Sequence, residues 1–156
     1  MDNALGMANI LSWQVPEGEF MITTHIKANP NVNFQQAAIY IYEDEINYIA
    51  LNTSYCDICA PGGPGYFMET FIDNNPFENT YTLNRNAGDT DVYLRLVNQG
   101  GSVTGYYATT PGDWQRAGAF GNYFEFKYVG LGTTNSTNVE VPDLVSQFDY
   151  FEIAEP

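Results

Sequence analysis

The feature that most constrains this chain is the spacing of its apolar residues, which alternate with polar ones over most of its length and never settle into a sustained helical repeat. From Phe20 to Ala28, the residues Phe20, Ile22, Ile26 and Ala28 share one parity, with Thr24 between them. A period of two places alternate side chains on opposite faces of a strand, so the segment reads as a half-buried strand. Phe34 to Tyr42 and Ile46 to Leu51 form two further β-rich runs joined by the acidic tip Glu43-Asp44-Glu45. Tyr66 to Asp73 predicts another strand and Thr80 to Leu83 a short one. Val92, Leu94 and Leu96 pair with Val103, Gly105 and Tyr107 across Asn98-Gln99-Gly100-Gly101, where glycine permits the positive φ of a tight hairpin turn. Phe124 to Leu131 and Gln147 to Ile153 complete the set. About nine to twelve short strands separated by Gly, Pro and Asn predict an all-β, two-sheet sandwich or jelly roll. No repeat or linker divides residues 1–156, so a single domain is expected.

Charge and composition then narrow the partners. Five Lys and Arg stand against 19 Asp and Glu, a formal charge of −14, and the cations Lys27, Arg85, Arg95, Arg116 and Lys127 are scattered. Phosphate binding needs clustered cations, so general binding to nucleic acid or to anionic membranes is excluded. Charged residues make up 15% of the chain, below the ~25% usual in globular domains, while aromatics reach 15% with 12 Tyr. Surface polarity must therefore come from Asn, Thr, Ser, Gln and Tyr. That suits neutral, hydroxyl-rich ligands, and it equally marks an extracellular all-β protein without a ligand. No apolar run reaches the ~18–20 residues of a membrane helix, and Met1 to Ile10 lacks the basic start and apolar core of a signal peptide, so a mature or excised domain is expected.

Cys56 and Cys59 lie in a Cys-Asp-Ile-Cys unit that runs into Ala60-Pro61-Gly62-Gly63-Pro64-Gly65. A zinc site would want two more ligands, and a thioredoxin-like site would want a βαβ context. A small loop disulfide or two free thiols remain. The chain's single His25 sits between Thr24 and Ile26 on a strand and reads as a structural residue. The sequons Asn52-Thr53-Ser54 and Asn135-Ser136-Thr137 carry little weight in an Asn-rich chain.

The run from Phe34 to Leu51 resembles a hairpin of concanavalin A-like jelly-roll domains, those found at the C-termini of family 43 β-xylosidases and arabinofuranosidases and in related bacterial carbohydrate-binding modules. Val92-Tyr93-Leu94-Arg95-Leu96, then Thr104-Gly105-Tyr106-Tyr107, then Gly112-Asp113-Trp114 resemble later segments in order and spacing. So do Val129-Gly130-Leu131 and the closing Phe148-Asp149-Tyr150-Phe151-Glu152-Ile153. The resemblance spans about residues 20–153. The Cys- and Gly-rich stretch from Asn52 to Gly65 looks like an insertion, and Pro111-Gly112-Asp113 departs from the family's plainer turn. The resemblance implies a concanavalin A-like jelly roll serving as an accessory domain of an extracellular glycoside hydrolase. It also implies one structural Ca²⁺ near the chain ends, with Asp149 as ligand and Asp2 or Glu17 as partners. Asp73-Asn74-Asn75 and Asp89-Thr90-Asp91 are alternative oxygen-rich clusters.

Parity supplies a binding surface without the family. Leu94 and Leu96 point inward with Val92, leaving Tyr93 and Arg95 outward. Ile39 and Ile41 face one way with Ala37, leaving Tyr40 and Tyr42 to face the other with Tyr48. Tyr40, Tyr42, Tyr48, Tyr93, Arg95 and the nearby Trp114 are expected to share one exposed side. Glu69 is expected beside them as a hydroxyl acceptor or as the carboxylate partner of Arg95. Sugar C–H faces stack on aromatic planes while Arg and carboxylates take hydroxyls, although the same tyrosines could simply pack on half-buried strands.

Catalysis is not expected. Glycosidases need two carboxyl groups about 5–5.5 Å or ~6.5–9.5 Å apart, and the consecutive Glu43-Asp44-Glu45 diverge at a turn. No nucleophile has a visible base. Two classes stay open. One is a non-catalytic carbohydrate-binding module for a neutral polysaccharide of β-glucan or xylan type. The other is a structural or adhesive β-sandwich in a cell-surface or hydrolase assembly. Either would be an extracellular or surface monomer with no nucleic acid partner and no membrane insertion.

Overall fold

The computed structural model describes residues 10–59, 62–82, 90–135 and 140–156, with 81 and 82 described by their backbone alone. Among these residues there are eleven strands and no helix. In chain order they are β1 (Ile10–Gln14), β2 (Phe20–Ala28), β3 (Gln36–Tyr42), β4 (Tyr48–Cys56), β5 (Gly63–Ile72), β6 (Asn75–Thr82), β7 (Asp91–Gln99), β8 (Ser102–Ala108), β9 (Gln115–Gly121), β10 (Tyr128–Thr134) and β11 (Ser146–Ala154). They form a six-stranded sheet ordered β1-β10-β3-β4-β5-β6 and a five-stranded sheet ordered β11-β2-β7-β8-β9. Every pairing is antiparallel. The expected all-β two-sheet sandwich is therefore the fold.

The core is the inner parity of both sheets. Ile39, Ile41, Ile49, Leu51 and Met68 from the larger sheet meet Ile22, Ile26, Val92, Leu94 and Leu96 from the smaller. The sheets approach closely at Gly105, where a Cβ would lie 2.8 Å from the Met68 sulfur, so only glycine leaves room for that thioether.

Local chemistry explains the turns. Gly100 and Gly101, at φ 61° and 77°, close β7 onto β8. Asp73 and Asn74, at φ 51° and 61°, close β5 onto β6 in the same way, because Asp and Asn tolerate the left-handed region better than other side chains. The tip between β3 and β4 is an Asx turn, in which Asp44 Oδ1 accepts from the backbone N–H of Ile46 and Asn47 at 3.0 and 2.9 Å.

Several boundaries differ from expectation. The stretch 52–65, expected as a loop insertion, is mostly strand in its described residues: β4 continues through Cys56 and β5 begins at Gly63. Cys56 and Cys59 are disulfide-bonded within it, and Asn33 ties it down by accepting from the Asp57 backbone N–H at 2.7 Å. The last long strand of the larger sheet starts at Tyr128 rather than Phe124. Phe124 and Phe126 instead lie in irregular chain, edge to face with each other and packed against the core. Strands β1 and β9 carry no clean alternation, Ile10–Gln14 because it is an edge strand and Gln115–Gly121 because a bulge at Gly105/Tyr106 shifts its register.

Candidate functional site

Antiparallel pairing puts directly opposed residues on the same face, so the outer surface of each sheet can be read across its strands. On the six-stranded sheet, Tyr128, Tyr42, Tyr48 and Phe71 form one row and Gly130, Tyr40, Ala50, Glu69 and Asn79 the next. Tyr42 stacks on Tyr128 with centroids 5.3 Å apart, and Tyr48 stacks on Phe71 at 4.8 Å. These rings are not an open platform. Tyr40 and Tyr42 are 2% exposed and Tyr48 6%, and together with Ala38 and Ala50 they form a second apolar cluster outside the main core.

The polar groups in and beside that cluster are shielded from water, Tyr40 and Asn52 completely or nearly so and the Glu69 side chain in part. Burial pushes the Glu69 carboxyl up to about 7. Desolvation pushes the Tyr40 hydroxyl up to about 12, with a hydrogen bond to Thr134 opposing the rise and the Glu69 charge adding to it. The Tyr48 hydroxyl is raised for the same first reason, with Glu69 and Tyr40 contributing. Asn52, completely buried, donates from Nδ2 to Glu69 Oε1 over a long 3.5 Å, and its Oδ1 has no partner. Among the described paired positions on this face Glu69 is the only carboxylate, so the two-carboxyl geometry of glycoside hydrolysis is absent from it.

The outer face of the five-stranded sheet is different. Glu152, Thr23, Arg95, Tyr106 and Arg116 align in one row, and Tyr150, His25, Tyr93 and Ala108 in the adjacent one. Tyr93, Arg95, Tyr106 and Trp114 are half-buried, Tyr150 is 42% exposed, and Glu152 and Arg116 are exposed. Trp114, entering β9, lies under the Arg95 guanidinium, whose carbon sits 4.1 Å from the ring centroid. Arg95 Nε donates to Thr23 Oγ1 at 3.0 Å. Tyr93 stacks on His25 at 4.3 Å. The result is a set of half-buried and exposed phenols on the same face as a guanidinium that lies over an indole.

The expected single platform is thus split in two. Tyr40, Tyr42, Tyr48 and Glu69 lie on one sheet, and Tyr93, Arg95 and Trp114 lie on the other, facing away from them. Glu69 cannot be the partner of Arg95. The parity of each residue is as expected, but parity names a face of the residue's own sheet and says nothing about which sheet its strand joins. Tyr150, Tyr106 and Glu152 were missed. Tyr150 follows a bulge between Phe148 and Tyr150 that interrupts the alternation of β11. Tyr106 and Glu152 alternate visibly in the sequence, and strand pairing brings Tyr106 beside Arg95 and Glu152 into the same row beyond Thr23.

The described members of the expected calcium set, Asp149 and Glu17, are not brought together. Asp149 Oδ2 lies 2.7 Å from His25 Nδ1 and 3.9 Å from Lys27 Nζ. On the other side, Asp91 Oδ1 lies 3.3 Å from His25 Nε2 and 3.9 Å from Lys27. An ammonium group beside both carboxylates already offsets their charge and would oppose a divalent cation. Glu17 is exposed ahead of β2, at the opposite end from Asp149, and Asp2 lies outside the described residues. Asp73 and Asn74 form the β5–β6 turn, and Asp89 lies outside the described residues. Among the described residues no group of three His, Cys, Asp or Glu side chains is placed to hold a metal. His25, on β2, lies between Asp91 of β7 and Asp149 of β11.

No protein-family model matches this chain, and no curated protein is significantly similar to it. Solved structures are similar in fold. The GH43 protein BlXynB from Bacillus licheniformis superposes with a TM-score of 0.74 at 16% identity, over 88% of this chain and 28% of that one. A xylan β-1,4-xylosidase from Bacillus halodurans C-125 gives 0.69 at 17% identity, over the same shares. CG-16, a homodimeric agglutinin from chicken liver, gives 0.58 at 12% identity and matches over 93% of this chain and 99% of its own. This chain therefore corresponds to a β-sandwich spanning about a quarter of the two bacterial structures. At these identities the likeness establishes the fold.

Proposed function

We propose that the chain is a non-catalytic carbohydrate-binding β-sandwich, an accessory domain of an extracellular glycoside hydrolase, that holds a polysaccharide on the outer face of its five-stranded sheet. The observation that carries this reading is the Tyr93–Arg95–Trp114–Tyr150 surface. It combines aromatic surface, phenolic hydroxyls and a guanidinium fixed by an indole, the groups that recognise hydroxyl-rich rings. The buried tyrosines of the other sheet are structural in this reading. The bacterial structures with this fold contain it within much longer chains, which supports an accessory role.

Affinity electrophoresis in gels containing xylan, mixed-linkage β-glucan, laminarin, cellulose or mannan tests the proposal. Retardation by at least one polysaccharide, reduced in Trp114→Ala and Tyr150→Ala, is the expected result. Migration unchanged in every gel would sink it and favour a support domain. That second reading draws on the seam where β1 and β11 meet: Leu11 is 60% exposed, Trp13 stacks on Phe151 at 4.4 Å, and Leu144 and Phe148 help line an open cleft of about 480 Å³. Such a seam suits packing against a neighbouring domain.

A further inference from the structure

Three of the four described cations, Lys27, Arg95 and Arg116, project from the outer face of the five-stranded sheet. This is unexpected in a chain with 19 carboxylates. Lys27 is matched to Asp91 and Asp149. The fourth, Lys127, is paired with Glu43 at 2.9 Å on the other sheet. Arg95 and Arg116 are different, because among the described residues neither lies within ion-pair distance of a carboxylate. The register places them on either side of Tyr106, two strand spacings or roughly 10 Å apart. Arg95 is also pre-set. Its guanidinium lies over the Trp114 ring and its Nε donates to Thr23 Oγ1, so the two terminal nitrogens, which a guanidinium holds in one plane, are the donors that remain for a ligand.

We infer that this face recognises a carboxylate-bearing saccharide, with the acid group of a uronate residue held by Arg95 and Arg116 while Tyr93, Tyr106 and Tyr150 take the ring hydroxyls. The inference rests on the carbohydrate-binding reading and changes its ligand from the neutral polymer expected from composition to an acidic one. A planar guanidinium matches a carboxylate with two parallel hydrogen bonds, whereas a neutral hydroxyl uses only one of its donors. The net charge of −14 repels densely anionic chains at long range. The ligand that fits is therefore a polysaccharide with sparse acidic substituents, whose single carboxylate meets the arginines within a Debye length.

The test is calorimetric titration with an oligosaccharide bearing one glucuronate and with its carboxyl-reduced counterpart, in which the same ring is glucose. The wild-type chain should bind the acidic form at least tenfold more tightly, and the preference should vanish in Arg95→Gln and in Arg116→Gln. Arg95→Lys, which keeps the charge but not the paired donors, should lose most of it. Arg116 is exposed, so its variant should melt with the wild type and serve as the control against misfolding. Equal affinity for the two forms would overturn the inference and leave the carbohydrate-binding reading standing. A preference that persists in the Arg95→Gln/Arg116→Gln double variant would place the acid elsewhere and overturn it as well. Failure to bind either form, together with unretarded migration in every polysaccharide gel, would overturn both.

Discussion

At the scale of single residues, outward-pointing aromatics on the two sheets have opposite fates. Tyr40 is buried in a cluster of its own, while Trp114 keeps an exposed edge beneath Arg95. Tyr40→Ala should therefore cost about 3–5 kcal/mol, as large core truncations do, and Trp114→Ala about 1 kcal/mol, close to the worth of a surface cation–π contact. Paired denaturant titrations check the difference, and similar losses in both would contradict the assignment of faces. Glu69 gives a pH signature. Its folded value is near 7 against 4.5 unfolded, so the fold favours the protonated form. The stability this contributes is fully present below pH 4.5 and is lost as the pH rises to 7, by up to roughly 3 kcal/mol. Residual exposure of the side chain makes that figure an upper bound. Glu69→Gln should remove most of the decline, and melting curves at pH 4.5, 6 and 7.5 on both proteins would show it. Parallel slopes would mean that Glu69 is solvated.

At the scale of elements, the hairpin loops and the last strand carry the predictions. The Cys56–Cys59 bridge closes a loop of only four residues, so loop-closure entropy limits its contribution to about 2 kcal/mol. Cys56→Ser/Cys59→Ser should remain folded and lose no more than that in denaturant titration, and failure to fold would show that the hairpin end organises the sheet. Strand β11 docks on β2 through Asp149–His25 and through Thr24 Oγ1, which donates to the Tyr150 carbonyl at 2.6 Å. Because Lys27 and His25 already occupy the Asp149 carboxylate, EDTA should leave the melting temperature unchanged. A fall of several degrees, reversed by calcium, would show a metal site that the described residues do not form.

At the scale of the whole molecule, the alternation of Phe20–Ala28, Phe34–Tyr42 and Val92–Leu96 was enough to determine an all-β sandwich and the inward set Ile22, Ile39, Ile41, Leu94 and Leu96. Side-chain direction in a strand is a local property with a period of two. The Gly100-Gly101 hairpin was equally local, since it depends on φ alone. Strand order is not local. That Arg95 and Trp114 belong to one sheet and Tyr40 and Glu69 to the other, that Tyr150 and Glu152 share the face of Tyr93 and Arg95 across β2, and that Asp149 meets His25 rather than Glu17 all depend on pairings between segments up to about 130 residues apart. Solvent access was also beyond the sequence, because an outward direction does not make a residue exposed once its neighbours pack over it. The chain by itself therefore determined which residues turn inward, and only the tertiary structure decided which outward residues stand together and remain open to a ligand.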